Sequence, residues 1–161
     1  MRKHRALTLG FIVALIILAA DQASKAFLLP LLTEPWRQIP LTSFFNLTPV
    51  WNHGVSFGLF KADSAAHVWA LIGVALALVG VVTWWLLKAT DRLHVVCYGA
   101  IIGGALGNII DRLRFGAVFD FLDFYIGNWH YPAFNVADSA IVCGVIGLLF
   151  LTLRTPSGHK K

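Results

Sequence analysis

The residues of this sequence best suited to chemistry are aspartates, and they come with particular neighbours. Asp21 and Lys25 are spaced i, i+4 with the acid first, the favourable order for a helical pair, and read first as a neutralised pair locking one helix to the rest. Asn108, Asp111 and Arg112 form a second group, with Arg112 one helical turn after Asn108. Its guanidinium fork suits a carboxylate, or a carbonyl or phosphate of a substrate. Asn135 and Asp138 form a third: Asn135 fits an N-cap, and Asp138 then falls in the first turn, where the helix macrodipole favours an ionised acid. Asp120 and Asp123 stand in Val-Phe-Asp-Phe-Leu-Asp-Phe, where flanking rings desolvate a carboxylate and raise its pKa. One acid biased toward ionisation and another toward protonation is what hydrolysis by a carboxylate pair requires. Spacing alone leaves Asp111 and Asp123 in contention for that pair beside Asp120 and Asp138. His53 and His130 have no second ligand at metal spacing, and neither a metal nor a cofactor is expected.

The elements that must position these groups are apolar. Hydrophobic residues make up 58% of the 161 and charged residues only 13%, against about a quarter charged in soluble domains. Four runs, at about 6–29, 68–87, 93–110 and 136–153, are near the ~20 residues needed to cross a bilayer. A single polytopic membrane domain over 1–161 is expected. Trp69 and the Trp84–Trp85 pair suit aromatic belts at the two ends of the second run. The start also has the basic, apolar and small-residue order of a secretory signal peptide, but the apolar run resumes after Lys25, so an uncleaved first helix is expected.

The net charge of +5 could suggest a nucleic-acid partner, but its distribution argues against one. Arg2, Lys3, Arg5, Lys88, Arg92, Arg154, Lys160 and Lys161 abut the ends of apolar runs, as cytoplasmic flanks do. Both termini are therefore expected in the cytoplasm. Seven of the eight acids fall at the opposite ends, which points to a site at the outer face.

Between the runs, Thr42–Thr48 and Val55–Leu59 read as short strands. The aromatic segment 111–135 reads as a loop against the bilayer interface. Gly99, Gly103 and Gly107, with Gly104 beside them, form a small-residue face that lets a neighbouring helix approach closely. Cys97 and Cys143 read as small apolar packing residues.

Five blocks then occur in order: Asp21-Gln-Ala-Ser-Lys25, Asn52-His-Gly-Val-Ser-Phe-Gly58, Gly103-Gly-Ala-Leu-Gly-Asn-Ile-Ile-Asp-Arg112, Val118-Phe-Asp-Phe121 and Phe134-Asn-Val-Ala-Asp138. Together they closely resemble the bacterial lipoprotein signal peptidases, or signal peptidase II. The resemblance implies a four-helix membrane bundle with a small β-containing outer region. It implies an aspartic endopeptidase that removes signal peptides from diacylglyceryl-modified prolipoproteins, cutting on the N-terminal side of the lipidated cysteine. Its partners would be prolipoproteins and membrane lipid, its state monomeric and its place the cell (inner) membrane. Carried over by position, Asp120 and Asp138 would be catalytic, and Asn52, Asn108, Arg112 and Asn135 would line the site. Asp21, Lys25 and Asp111 would be its support.

Overall fold

The computed structural model describes residues 3–54 and 65–154. Within them lie four helices, α1 (Lys3–Thr33), α2 (Ala65–Lys88), α3 (Arg92–Phe115) and α4 (Val136–Arg154). Each is long and apolar enough to cross a membrane. Four strands, β1 (Ile39–Pro40), β2 (Phe45–Asn52), β3 (Val118–Ile126) and β4 (Trp129–His130), form one antiparallel sheet in chain order.

The third helix is the hub, packing on α1, α2 and α4. Its glycines make that possible. A side chain at Gly99 would run into the carbonyl of Gly10, one at Gly103 into that of Ala14, and one at Gly107 into the Asp21 carboxylate. These positions recur each turn, so α1 lies backbone-close along one face of α3. Gly104 meets the Ala137 carbonyl in the same way, bringing in α4. On the remaining side Val82 and Leu86 of α2 pack with Val95 and Ile102 of α3 and with Ala6 and Ala14 of α1.

Helix α3 runs past the expected end at Ile110 and carries Asp111 and Arg112 on its last turns. Asp91 caps its start, accepting from the backbone N–H groups of Leu93 and His94 at 3.0 and 3.1 Å. Its other end closes at Gly116, whose φ of 72° is the left-handed conformation that favours glycine. Arg112 and Arg114 in the last turn suit the negative pole of the helix.

The segment 111–135 is therefore mostly ordered secondary structure, and the expectation of an interfacial loop is corrected in part. Phe119 and Phe121 are buried with Leu32 under the sheet, whereas Phe115, Trp129 and Tyr131 are exposed. The strand expected at Thr42–Thr48 appears three residues later and runs on to Asn52. The register of β2 against β3 shifts between Leu47 and Val50. Pro49 stands at that shift and has no N–H for a ladder bond. The strand expected at Val55–Leu59 lies outside the described residues. Cys97 is half-buried, with its Sγ against Gly147, but Cys143 is exposed on α4 and does not serve as helix packing.

Candidate active site

The turn at Gly116 sends β3 back over the C-terminal end of α1 and the N-terminal end of α4, where Phe119 and Phe121 face inward onto Leu32. Side chains alternate along a strand, so Asp120 faces the other way. Past the register shift, Val50 lies opposite Asp120 and Asn52 opposite Val118. Asn52 is then the diagonal neighbour of Asp120 on the same face, and its amide donates to Asp120 Oδ2 at 3.0 Å. A one-residue slip in that pairing would turn Asn52 away.

Asn135 connects the two candidate acids. Its side-chain oxygen accepts from the Asp138 backbone N–H at 2.9 Å, and Asp138 Oδ2 accepts from the Asn135 N–H at 3.3 Å. This is a reciprocal capping box at the start of α4. The same Asn135 amide donates to Asp120 Oδ1 at 2.7 Å and to Asn108 Oδ1 at 3.2 Å. Asn108 in turn donates to Asp138 Oδ1 at 2.8 Å. Two carboxylates from a strand and a helix are thus held by a ring of asparagine amides.

A cation sets the direction of that ring. Lys25 Nζ lies 2.8 Å from Asp21 and 2.8 Å from Asp111 and donates its third hydrogen bond to Asn108 Oδ1 at 3.3 Å. An ammonium is only a donor, so it holds the Asn108 oxygen inward and the NH2 toward Asp138. Asp21 and Asp111 also accept backbone N–H groups, from Ala137 at 3.0 Å and Phe119 at 3.2 Å. This knot joins α1, α3, α4 and β3, and its residues are buried.

Burial raises the Asp120 carboxyl to about 7, with the neighbouring Asp138 carboxylate pushing the same way and the Asn52 and Asn135 amides opposing. A carboxyl that holds its proton near neutrality can serve as a general acid. Among the described residues, no three His, Cys, Asp or Glu side chains converge in a metal-binding arrangement.

The structure thus brings Asp120, Asp138, Asn52, Asn108 and Asn135 together and sets Asp21, Lys25 and Asp111 directly behind them. Arg112 lies close enough to feel the charges of Asp138 and Asp120, but among the described residues it bonds to neither. It donates to the Gly54 carbonyl at 3.0 Å and to the Asn108 carbonyl at 3.4 Å, and among the described residues it makes no ion pair. Asp123, which spacing alone left in contention, sits in a separate network. It is buried, and its carboxylate takes Gln38 at 3.4 Å, Asn46 at 3.3 Å, Thr48 at 3.4 Å and His130 at 2.8 Å. It ties the residue before β1 to β2, β3 and β4 from within the sheet. Gln22 was not singled out, yet its amide donates to Asp21, the Gly107 carbonyl and Asp111 at 3.2, 3.3 and 3.0 Å. A polar side chain at membrane depth beside Asp21 was the available signal.

The family model described as signal peptidase (SPase) II matches residues 13–154. The chain belongs to the signal peptidase II family. Like other members it is a membrane-embedded aspartic peptidase. It is 47% identical over 149 residues to the lipoprotein signal peptidase of Methylorubrum extorquens (strain PA1), covering 90% of this chain and 85% of that protein. It is 40% identical over 149 residues to that of Anaplasma phagocytophilum (strain HZ), with coverage of 92% and 94%. In fold it resembles a bacterial membrane enzyme solved by the in meso method at 2.3 Å, with a TM-score of 0.80, 24% identity and coverage of 94% and 92%. The four-helix bundle with its small sheet is shared with that enzyme.

Proposed function

We propose that this signal peptidase II removes signal peptides from diacylglyceryl-modified prolipoproteins, with Asp120 and Asp138 as its catalytic pair. The name carried by its relatives, lipoprotein signal peptidase, supports the substrate class. The pair rests on one observation above all: Asn135 is bonded to both carboxylates, 2.7 Å to one and through a reciprocal cap to the other. Acids so linked can share a single proton, because like charges oppose ionisation of both.

Asp120, raised to about 7, holds that proton and donates it to the scissile carbonyl oxygen. Asp138 takes a proton from water as the water oxygen bonds to the carbonyl carbon. When the tetrahedral intermediate collapses, the C–N bond breaks and Asp138 returns a proton to the leaving amine. Asp120 regains its own from the intermediate's hydroxyl. Asn52, Asn108 and Asn135 keep both carboxylates aimed, and Arg112 tethers Gly54, just beyond the end of β2, to α3. The cut falls on the N-terminal side of the lipidated cysteine. A signal peptide crossing lipid as a helix has its amides bonded internally, and the membrane surface is where it can be unwound and hydrated.

The basic ends of the apolar runs support cytoplasmic termini and a site at the outer face of the cell (inner) membrane. The chain acts as a single membrane domain and as a monomer, in contact with membrane lipid. Purified protein should cut a lipidated precursor and leave its unlipidated counterpart intact, with no change on exhaustive chelation. An intact lipidated precursor would overturn the reading. Activity abolished by chelation and restored by zinc would overturn the two-carboxylate mechanism. A C-terminal fusion to an enzyme active only outside the cytoplasm should be silent, and a strong signal would reverse the orientation.

A further inference from the structure

Beside the candidate pair lies a cavity of about 400 Å³ whose walls include Tyr131, Pro132, Phe134, Asp138, Val142 and Cys143. Two stripes of α4 explain its position. Ala137, Ile141 and Gly144 face α3, while Asp138, Ser139, Val142 and Cys143 form the adjoining flank beneath the 131–134 segment. Phe134 is braced there by stacking on Phe124, centroids 5.9 Å apart, and by the edge of Tyr131 at 6.0 Å. Tyr131 and Val142 are exposed, and the same outer surface of α4 continues through the exposed Val145, Ile146 and Leu149. The cavity therefore joins a catalytic carboxylate to the apolar side of the bundle.

We propose that this cavity receives an acyl chain of the substrate's diacylglyceryl group, an inference that rests on the prolipoprotein reading above. The chemistry of the cut requires such an exit. The lipid is carried by the side chain of the residue directly after the scissile bond, so its chains must leave within a few bonds of the two aspartates. Asp138 is a wall of this cavity. The walls also suit hydrocarbon better than peptide. The Tyr131 N–H is bonded to the Phe124 carbonyl at 2.8 Å and the Phe134 N–H to the Leu122 carbonyl at 3.1 Å. Pro132 has no N–H, and the Ser139 hydroxyl donates to the Asn135 carbonyl at 2.9 Å. The side chains of Tyr131, Pro132, Ala133, Phe134, Val142 and Cys143 give the cavity a mainly apolar wall, against which a methylene chain loses no hydrogen bonds.

The test is photo-crosslinking with a precursor bearing a diazirine on one acyl chain, in the wild type and in Asp120→Asn, which should hold the precursor uncut. Crosslinks should fall within 131–143. Crosslinks confined to α2 or α3 would overturn the inference, as would equal labelling of 131–143 by a diazirine phospholipid. A second arm uses Val142→Trp, which narrows the cavity from a lipid-facing position. Its KM for a dipalmitoyl precursor should rise about tenfold, equivalent to about 1.4 kcal/mol, with that for a short-chain precursor unchanged. Equal effects on both, or none, would count against it. Wild-type protein that cuts the precursor while crosslinking elsewhere removes this inference alone. Failure to cut at all removes the prolipoprotein reading with it.

Discussion

Asp21 and Asp111 meet an ammonium; Asp120 and Asp138 meet amides. The two pairs are joined through Asn108, yet their surroundings set different tasks. Around Lys25 all three ammonium donors are used, on two carboxylates and one carbonyl oxygen. Among the described residues no buried side-chain polar atom lacks a partner. Such a knot fixes four elements against each other and has no spare group to offer a substrate. In the second pair, neutral donors satisfy part of each carboxylate without supplying a charge in contact. Burial and mutual repulsion then lift Asp120 to about 7. The proposed catalytic acids thus have partners that orient them without neutralising them.

The largest expected effect strikes the reactive pair. Asp120→Asn and Asp138→Asn should each cut turnover of a lipidated precursor by about 10³-fold or more while leaving precursor binding intact. The double variant should be little worse than either single, because residues acting as one unit are not additive. Near-normal turnover by either single variant would show that the wrong pair is named.

Next comes the knot. Lys25→Met leaves two buried carboxylates without their cation, which should cost about 3–5 kcal/mol of stability, read as a lowered Tm in detergent. Adding Asp21→Asn and Asp111→Asn should recover much of that loss. If Lys25→Met kept its Tm and lost only turnover, the contrast between a structural and a reactive cluster would fail.

Asp123→Asn sharpens the comparison from the same strand. Asp123 sits three residues from Asp120 but serves the sheet, so its replacement should cost about 1–3 kcal/mol and leave kcat of the folded fraction near normal. A large drop in kcat with unchanged Tm would move Asp123 into the site.

The smallest effect is a slope. Asp120 has a native pKa raised from 3.8 to about 7, so between those values the native state holds a proton that the unfolded chain has released. Stability from this group is present at low pH and declines as pH rises through that window. The fall in Tm from pH 5 to 8 should be shallower in Asp120→Asn than in the wild type. In parallel, kcat/KM of the wild type should fall as pH rises past about 7, when the pair loses its shared proton. Identical Tm slopes in the two proteins would mean that Asp120 is not the group holding that proton.

Much of this was legible in residue order. Run lengths and hydropathy specify four helices, because a bilayer demands helices of about that length. The four-residue spacing of Gly99, Gly103 and Gly107 marks the face that α1 covers, since that spacing repeats on one side of a helix. The Asn135–Asp138 cap is likewise local, and the five ordered blocks carried the family. Asp120 and Asp123 show what residue order could not decide. Both are buried acids on one strand amid the same rings, and spacing alone left either available for catalysis, with only the resemblance favouring Asp120. Only the pairing of β2 with β3, shifted at Pro49, places Asn52 beside Asp120, and only the closing of the sheet brings Gln38, Asn46, Thr48 and His130 onto Asp123. Arg112 likewise went to a carbonyl 58 positions away in the chain. Sequence fixes which groups can ionise; which donors surround each is a long-range property, and the donors determine whether an aspartate holds the fold or does chemistry.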